Sequence, residues 1–262
     1  MKYNIILNKN KNIGKVVFIV EGDKKEHSLL GHIFKEILNY TLVDIKRYKP
    51  PYLKYTSRQN ADSKVFVVSA QSSNIKYAGK TGQDYLDHVF ASLYEEYELD
   101  ISNAAVYYIF DRDSESNLYS ETEKLAKILK NSRDNGIDAN GLLLLSYPCI
   151  EAYIKQCVDN YLQGETVESP KSLKAITSKP KYQYSKIDAA GIITACNNML
   201  LGIRDIYGRK LTAIDLDDFE GINTKILSSE NNTYLNHKQY ILLSLLSVAF
   251  LDLGILEITS PS

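Results

Sequence analysis

The chain has 262 residues, 44% of them hydrophobic, and a formal net charge of −1. That is enough apolar material for one large domain or a domain with an appendage, and too weak a field to attract a polyanion as a whole, so polyanion binding falls to local patches. Three cysteines, Cys149, Cys157 and Cys196, fit neither a zinc spacing nor a disulfide frame, which points to reduced thiols and a cytoplasmic setting. Residues 1–19 lack the apolar core of a secretory signal. The longest apolar segment, 240–251, stops at Asp252, short of the roughly 18 residues a membrane span needs. It reads as a core helix, or as a dimer or partner surface, and no membrane is expected.

In chain order, Val16-Val17-Phe18-Ile19-Val20 reads as a strand, and Leu29, Leu30, Ile33, Phe34, Ile37 and Leu38 then mark one helix face. Residues 65–68 form a second strand, and Tyr85, Val89, Phe90, Leu93 and Tyr97 a second helix face. A third strand spans 105–110; Ser120-Glu121-Thr122-Glu123 then fits a capping box, with Leu125, Ile128 and Leu129 behind it. A fourth strand, 142–145, leads into a helix over 150–162. Apolar residues at successive positions, without alternation, fit a parallel sheet covered on both faces. Strand–helix alternation therefore predicts an α/β domain over 1–164. Two segments break the rhythm: 44–62, with Pro50-Pro51, and 165–185, with Pro170 and Pro180, both read as loops. The second links to a mainly helical C-terminal region, 165–262, with helices expected over 187–207 and 235–251.

Acidic residues stand where strands should end. Glu21 follows the first strand in Val-Glu-Gly-Asp; Asp111 and Asp113 follow the third in Phe-Asp-Arg-Asp. Open α/β sheets bind ligands at the carboxyl ends of their strands. Hard cations take oxygen ligands, and a divalent metal at a phosphodiester polarises the phosphoryl oxygen and lowers the pKa of a bound water. Asp111 and Asp113 can converge in a turn, and Glu21 completes the set if the two strands are neighbours. Gly22 permits close backbone approach, and Glu26 can face the same pocket. Carboxylates so gathered repel one another without a cation, so the cluster itself predicts Mg²⁺ or Mn²⁺. The plainer alternative is that such acids cap or polarise the next helix.

Val20-Glu21-Gly22 and Asp111-Arg112-Asp113, each after an apolar strand, resemble the Toprim domain of topoisomerases, DnaG-type primases and OLD-family nucleases. Glu21-Gly22-Asp23-Lys24-Lys25-Glu26 and Ser146-Tyr147-Pro148-Cys149-Ile150-Glu151 look closer to RloB-like proteins and to the Toprim subunit of PARIS-type phage-defence systems, although Tyr147 and Ile150 replace the Asn and Phe of the RloB-like motif. The resemblance covers 16–162. It implies a Toprim-like, Rossmann-like fold in which Glu21, Asp111 and Asp113 hold metal. Glu26 and Glu151 would bind a second metal or orient the first set, with Asp23 and Glu115 as further candidates.

Competing chemistry is weak. His27, His32, His88 and His237 form no cluster in sequence, and Ser146 lacks a Gly-x-Ser-x-Gly elbow. Cys149 has no histidine beside it in sequence. Gly79-Lys80-Thr81-Gly82 falls short of Gly-x-x-x-x-Gly-Lys-[Ser/Thr], so ATP hydrolysis by this chain is not expected. Two acid-free basic stretches interleave with tyrosines. One holds Lys46, Arg47, Lys49, Lys54 and Arg58; the other holds Lys171, Lys174, Lys179, Lys181 and Lys186. Cations neutralise phosphates and rings stack bases, so these stretches, Lys179 and Lys181 included, are candidate nucleic-acid contacts.

The expectation is a cytoplasmic Mg²⁺- or Mn²⁺-dependent nuclease acting on tRNA or DNA. The resemblance adds an antiviral-defence role beside a separate ABC-type ATPase, with a homodimer as one possible state. Two alternatives remain: a non-catalytic Toprim-fold binding or regulatory subunit, and a metal-dependent phosphohydrolase acting on small nucleotides.

Overall fold

The computed structural model describes residues 3–22, 24–43, 52–69, 82–95, 98–100, 103–112, 122–131, 141–208 and 219–259. The elements in order are β1 (Asn4–Leu7), β2 (Lys15–Val20), α1 (Lys25–His32, running on as a π-helical turn over Ile33–Ile37), β3 (Tyr40–Val43), β4 (Tyr52–Ser57), β5 (Lys64–Ser69), α2 (Gly82–Glu95) and β6 (Ala104–Asp111). Then follow α3 (Thr122–Asn131), β7 (Leu142–Tyr147), α4 (Glu151–Val158), β8 (Thr166–Val167), α5 (Pro170–Thr177), two short 3₁₀ turns (Pro180–Tyr182 and Tyr184–Lys186), α6 (Ala189–Tyr207), α7 (Phe219–His237), β9 (Tyr240–Ile241), β10 (Leu243–Ser244), α8 (Leu246–Asp252) and β11 (Leu256–Thr259). No helix among the described residues is long and apolar enough to cross a membrane.

A seven-stranded sheet runs in the order β10-β7-β6-β2-β5-β4-β3. At its centre β2 pairs parallel with β5 and with β6, Val17 standing opposite Phe66 on one side and Val106 on the other. Val16 through Val20 are all fully buried, as a strand covered on both faces requires. The sheet is mixed, not purely parallel as the apolar runs predict: β4 is antiparallel to β5 and β3, and β10 is antiparallel to β7. The α/β architecture, with helices flanking the sheet, is compatible with a Rossmann-like fold.

Three local expectations are corrected. Residues 52–57, read as loop, form β4, with Tyr55 buried and its neighbours half-exposed; the basic residues around them mask a strand that buries little else. The stretch 165–185 is not a loop. It holds β8 and α5, the helix opening on Ser169, whose hydroxyl accepts from Ser172 N, with Pro170 in the first turn. The apolar segment 240–251 is not one helix but β9, β10 and the start of α8, and most of it is buried.

The other helix limits follow local chemistry. Asp188 caps α6 by accepting from Gly191 N, and Gly208, at φ 79°, ends it with its N–H on Arg204 O. The chain divides into two compact units. One comprises Met1–Asn8, Asp111–Asp113 and Leu144–Ser262; the other comprises Lys9–Phe110 and Ser114–Leu143.

Candidate functional site

Glu21 and Glu26 belong to the second of these units. Glu21 is the first residue past β2, and its N–H donates to Ile109 O of β6 at 3.3 Å. Gly22 follows, and a Cβ at that position would stand 2.6 Å from Glu26 Oε2. Only glycine therefore lets the Glu26 carboxylate lie against the backbone of this turn. Glu26 sits in the first turn of α1 at 7% exposure, where the helix dipole favours its charge. The close approach expected at Gly22 is to a ligand; what the structure shows against it is the chain's own Glu26 carboxylate.

Asp111 and Glu151 belong to the other unit. Asp111 is the last residue of β6, and its Oδ1 accepts from Ile150 N at 2.8 Å. The next residue, Arg112, donates its N–H to Ser146 O of β7 at 2.8 Å. Glu151 opens α4 at 1% exposure. Between them, the Cys149 thiol is pushed well above its ordinary value, first by burial and then by the carboxylates of Glu151 and Asp111, with Lys174 pulling the other way. Four groups therefore share one neighbourhood: Asp111, Cys149, Glu151 and Lys174. Burial and these carboxylates favour the neutral thiol of Cys149 over the thiolate. Lys174, on α5, is the member of the second basic stretch whose charge is felt at the acidic turn. Nothing in its sequence position separates it from Lys171 or Lys179; only the packing of α5 does.

Asp23, Asp113 and Glu115 lie outside the described residues, as do Lys46, Arg47 and Lys49. Among the described residues, no three His, Cys, Asp or Glu side chains form a group that could hold a metal ion. The described members of the acidic set are two pairs, one in each unit.

Arg112 is the residue that sequence reasoning passed over. An arginine between two aspartates reads as a solvated charge, yet it is 3% exposed. Its Nη2 donates to Asn231 Oδ1 at 3.0 Å, and its Nε lies 3.8 Å from Glu230 Oε2. Both partners sit on α7. Burial pushes the Glu230 carboxyl up to about 7, against the pull of Arg112.

The candidate nucleic-acid contacts take different roles. Lys54, on β4, holds its ammonium 5.7 Å from the Phe66 ring centroid. Arg58, just past β4, donates from Nε to Thr41 Oγ1 at 3.0 Å. Lys179 is exposed before the first 3₁₀ turn. Lys181 Nζ lies 2.8 Å from Asp159 Oδ1; the stretch lacks acids in sequence, but the fold supplies one. Asp159 also takes Lys155 Nζ at 2.9 Å and the Tyr182 hydroxyl at 2.6 Å. Partial burial raises its carboxyl, but hydrogen bonds from Lys181, Tyr182 and Lys155 outweigh that and hold it at about 2.

No family model, curated protein or solved structure matches this chain.

Proposed function

We propose that this protein is a metal-dependent nuclease of the Toprim kind, hydrolysing phosphodiester bonds in tRNA or DNA. The observation that carries the reading is a pair of strand ends. β2 and β6 are parallel neighbours with Val20 opposite Ile109; Glu21 is the next residue past β2, and Asp111 is the last of β6. Ligand sites of open α/β sheets lie at such carboxyl ends.

The donor chemistry fits a hard cation: the candidate ligands are all carboxylates, and the one nearby sulfur is kept protonated by burial. Glu21, Asp111 and Asp113 would hold Mg²⁺ or Mn²⁺. Bound there, the ion supplies polarisation of the phosphoryl oxygen and a water of lowered pKa. The chain's own part is orientation. Ile150 N–H holds Asp111 Oδ1 at 2.8 Å; Glu26 and Glu151 sit in the first turns of their helices. The described basic residues proposed to contact nucleic acid are Lys54 and Arg58 in one unit and Lys174, Lys179 and Lys181 in the other. By resemblance, the setting is bacterial antiviral defence. The chain lacks a phosphate loop for ATP, so a separate ABC-type ATPase would sense infection and release the nuclease.

The test is cleavage of mixed tRNA, single-stranded DNA and supercoiled plasmid by the purified protein in Mg²⁺, Mn²⁺ or EDTA. Asp111→Asn is the decisive variant, because it keeps an oxygen for Ile150 N–H while removing the charge. Metal-dependent cleavage is expected in the wild type and absent in Asp111→Asn. Equal cleavage by the two proteins would refute the assignment of Asp111. Hydrolysis of small nucleotides with none of polynucleotides would favour a phosphohydrolase instead.

A further inference from the structure

The end of β6 at Asp111 and the next residue, Arg112, are tied at three points within their own unit. Ile150 N donates to Asp111 Oδ1, Arg112 N donates to Ser146 O, and the Arg112 side chain reaches Asn231 and Glu230. The first tie comes from the β7–α4 connection and the second from β7 itself. The third comes from α7, a helix more than a hundred positions further along the chain. An arginine beside a proposed phosphate site would ordinarily be assigned to substrate, since its fork matches phosphate geometry. Here the guanidinium is buried and engages Asn231 and Glu230 of α7.

We infer that Arg112 is a positioning residue and not a substrate contact: by anchoring to Asn231 and Glu230 of α7, it sets where the carboxylate of Asp111 points. The anchor is specific to arginine. Lysine keeps the charge but is a point donor and loses the planar group that hydrogen-bonds Asn231 while lying 3.8 Å from Glu230. Ser146, whose carbonyl holds the Arg112 backbone, is itself fixed: its hydroxyl lies 2.8 Å from that of Ser244 on β10. Strand β10 follows directly from α7 and β9 in the chain. The same C-terminal stretch thus braces the turn from the backbone side and the side-chain side. Groups that orient metal ligands typically change metal affinity by about 10- to 100-fold when removed.

This inference rests on the metal reading for its functional consequence, and the experiment separates the two. Asn231→Ala and Arg112→Lys are compared with wild type in three measurements: Mn²⁺ affinity by titration calorimetry, hydrogen exchange at the Arg112 and Ile150 amides, and kcat and KM on the cleaved polynucleotide. Thermal melts show which variants fold, and Asn231→Ala is the milder change should Arg112→Lys fail. The expected result is roughly tenfold weaker Mn²⁺ binding, faster exchange at both amides, lower kcat and little change in KM. The two substitutions combined should cost no more than either alone. A raised KM with unchanged Mn²⁺ affinity and unchanged amide exchange would overturn the inference and make Arg112 a substrate contact. Unchanged exchange at both amides would overturn it outright. If wild type binds no Mn²⁺, the metal reading fails, while amide exchange still decides whether Arg112 positions the turn.

Discussion

The two acidic turns use the same plan with different supports. Each has an acid at a strand end and a glutamate buried in the first turn of a helix: Glu21 with Glu26, and Asp111 with Glu151. In the first, the accommodation is local, because Gly22 leaves room for the carboxylate four residues on. In the second, it is made from afar. The turn draws on β7, on the start of α4 and, through Arg112, on α7. A local solution fails by steric conflict at one residue. A distributed one fails when a distant partner is lost, and it carries buried charge that makes it sensitive to pH.

The largest effect should come from the distributed turn. Arg112→Met leaves Glu230 buried without its cation, and removing one partner of a buried pair costs about 3–5 kcal/mol; urea denaturation at pH 8 measures it. Next is the pH response of that pair. The folded Glu230 carboxyl, at about 7, lies above its ordinary 4.5, so the folded state holds the proton more tightly. The stabilisation from protonation is complete below 4.5 and is lost as pH rises through 7, up to about 3 kcal/mol. Glu230→Gln should flatten the stability profile over that window.

The local turn should respond less. Gly22→Ala drives a methyl into Glu26 Oε2; the carboxylate is the end of a flexible side chain, so the expected cost is about 1–3 kcal/mol. Its clearer signature is displacement of Glu26, so Glu26→Ala in the same background should recover much of the loss. A Gly22→Ala protein as stable as wild type would break the comparison. The smallest effect lies at the far end of α4, where Asp159 joins Lys155, Lys181 and Tyr182. Its carboxyl lies at about 2, below the ordinary 3.8, so its contribution is present above 3.8 and lost as pH falls through 2. With Lys181 57% exposed and solvent screening the pair, about 1 kcal/mol or less is expected, read as a difference in acid denaturation between wild type and Asp159→Asn.

The central strands were legible because burial on both faces leaves only apolar residues, as in Val16 to Val20. Strand β4 was not, because a strand that buries little beyond Tyr55 can carry Lys54 and border Arg58, and those charges read as loop. The segment 240–251 was apolar enough for a helix, but hydrophobicity alone does not distinguish one buried helix from two short strands followed by the start of another helix. In the site, Gly22 was readable as a position needing room, without showing that the Glu26 carboxylate fills it. Arg112 was not, because nothing local tells a solvated arginine from one whose partners, Glu230 and Asn231, lie on a distant helix. For the same reason Lys174 could not be singled out, nor Lys181 paired with Asp159.

Cys149, Cys157 and Cys196 are all buried, and burial raises each thiol above its ordinary value. All three fall in the unit that carries Asp111, and one stands inside the acidic turn. The chain thus has three built-in clocks for opening in that unit and none in the other. Since only exposed thiolate reacts, the alkylation rate of each cysteine records how often its surroundings open. Cys149 times the turn itself, while Cys157 and Cys196 time the helices behind it. A substrate or partner that orders the turn would slow the first clock and leave the other two running.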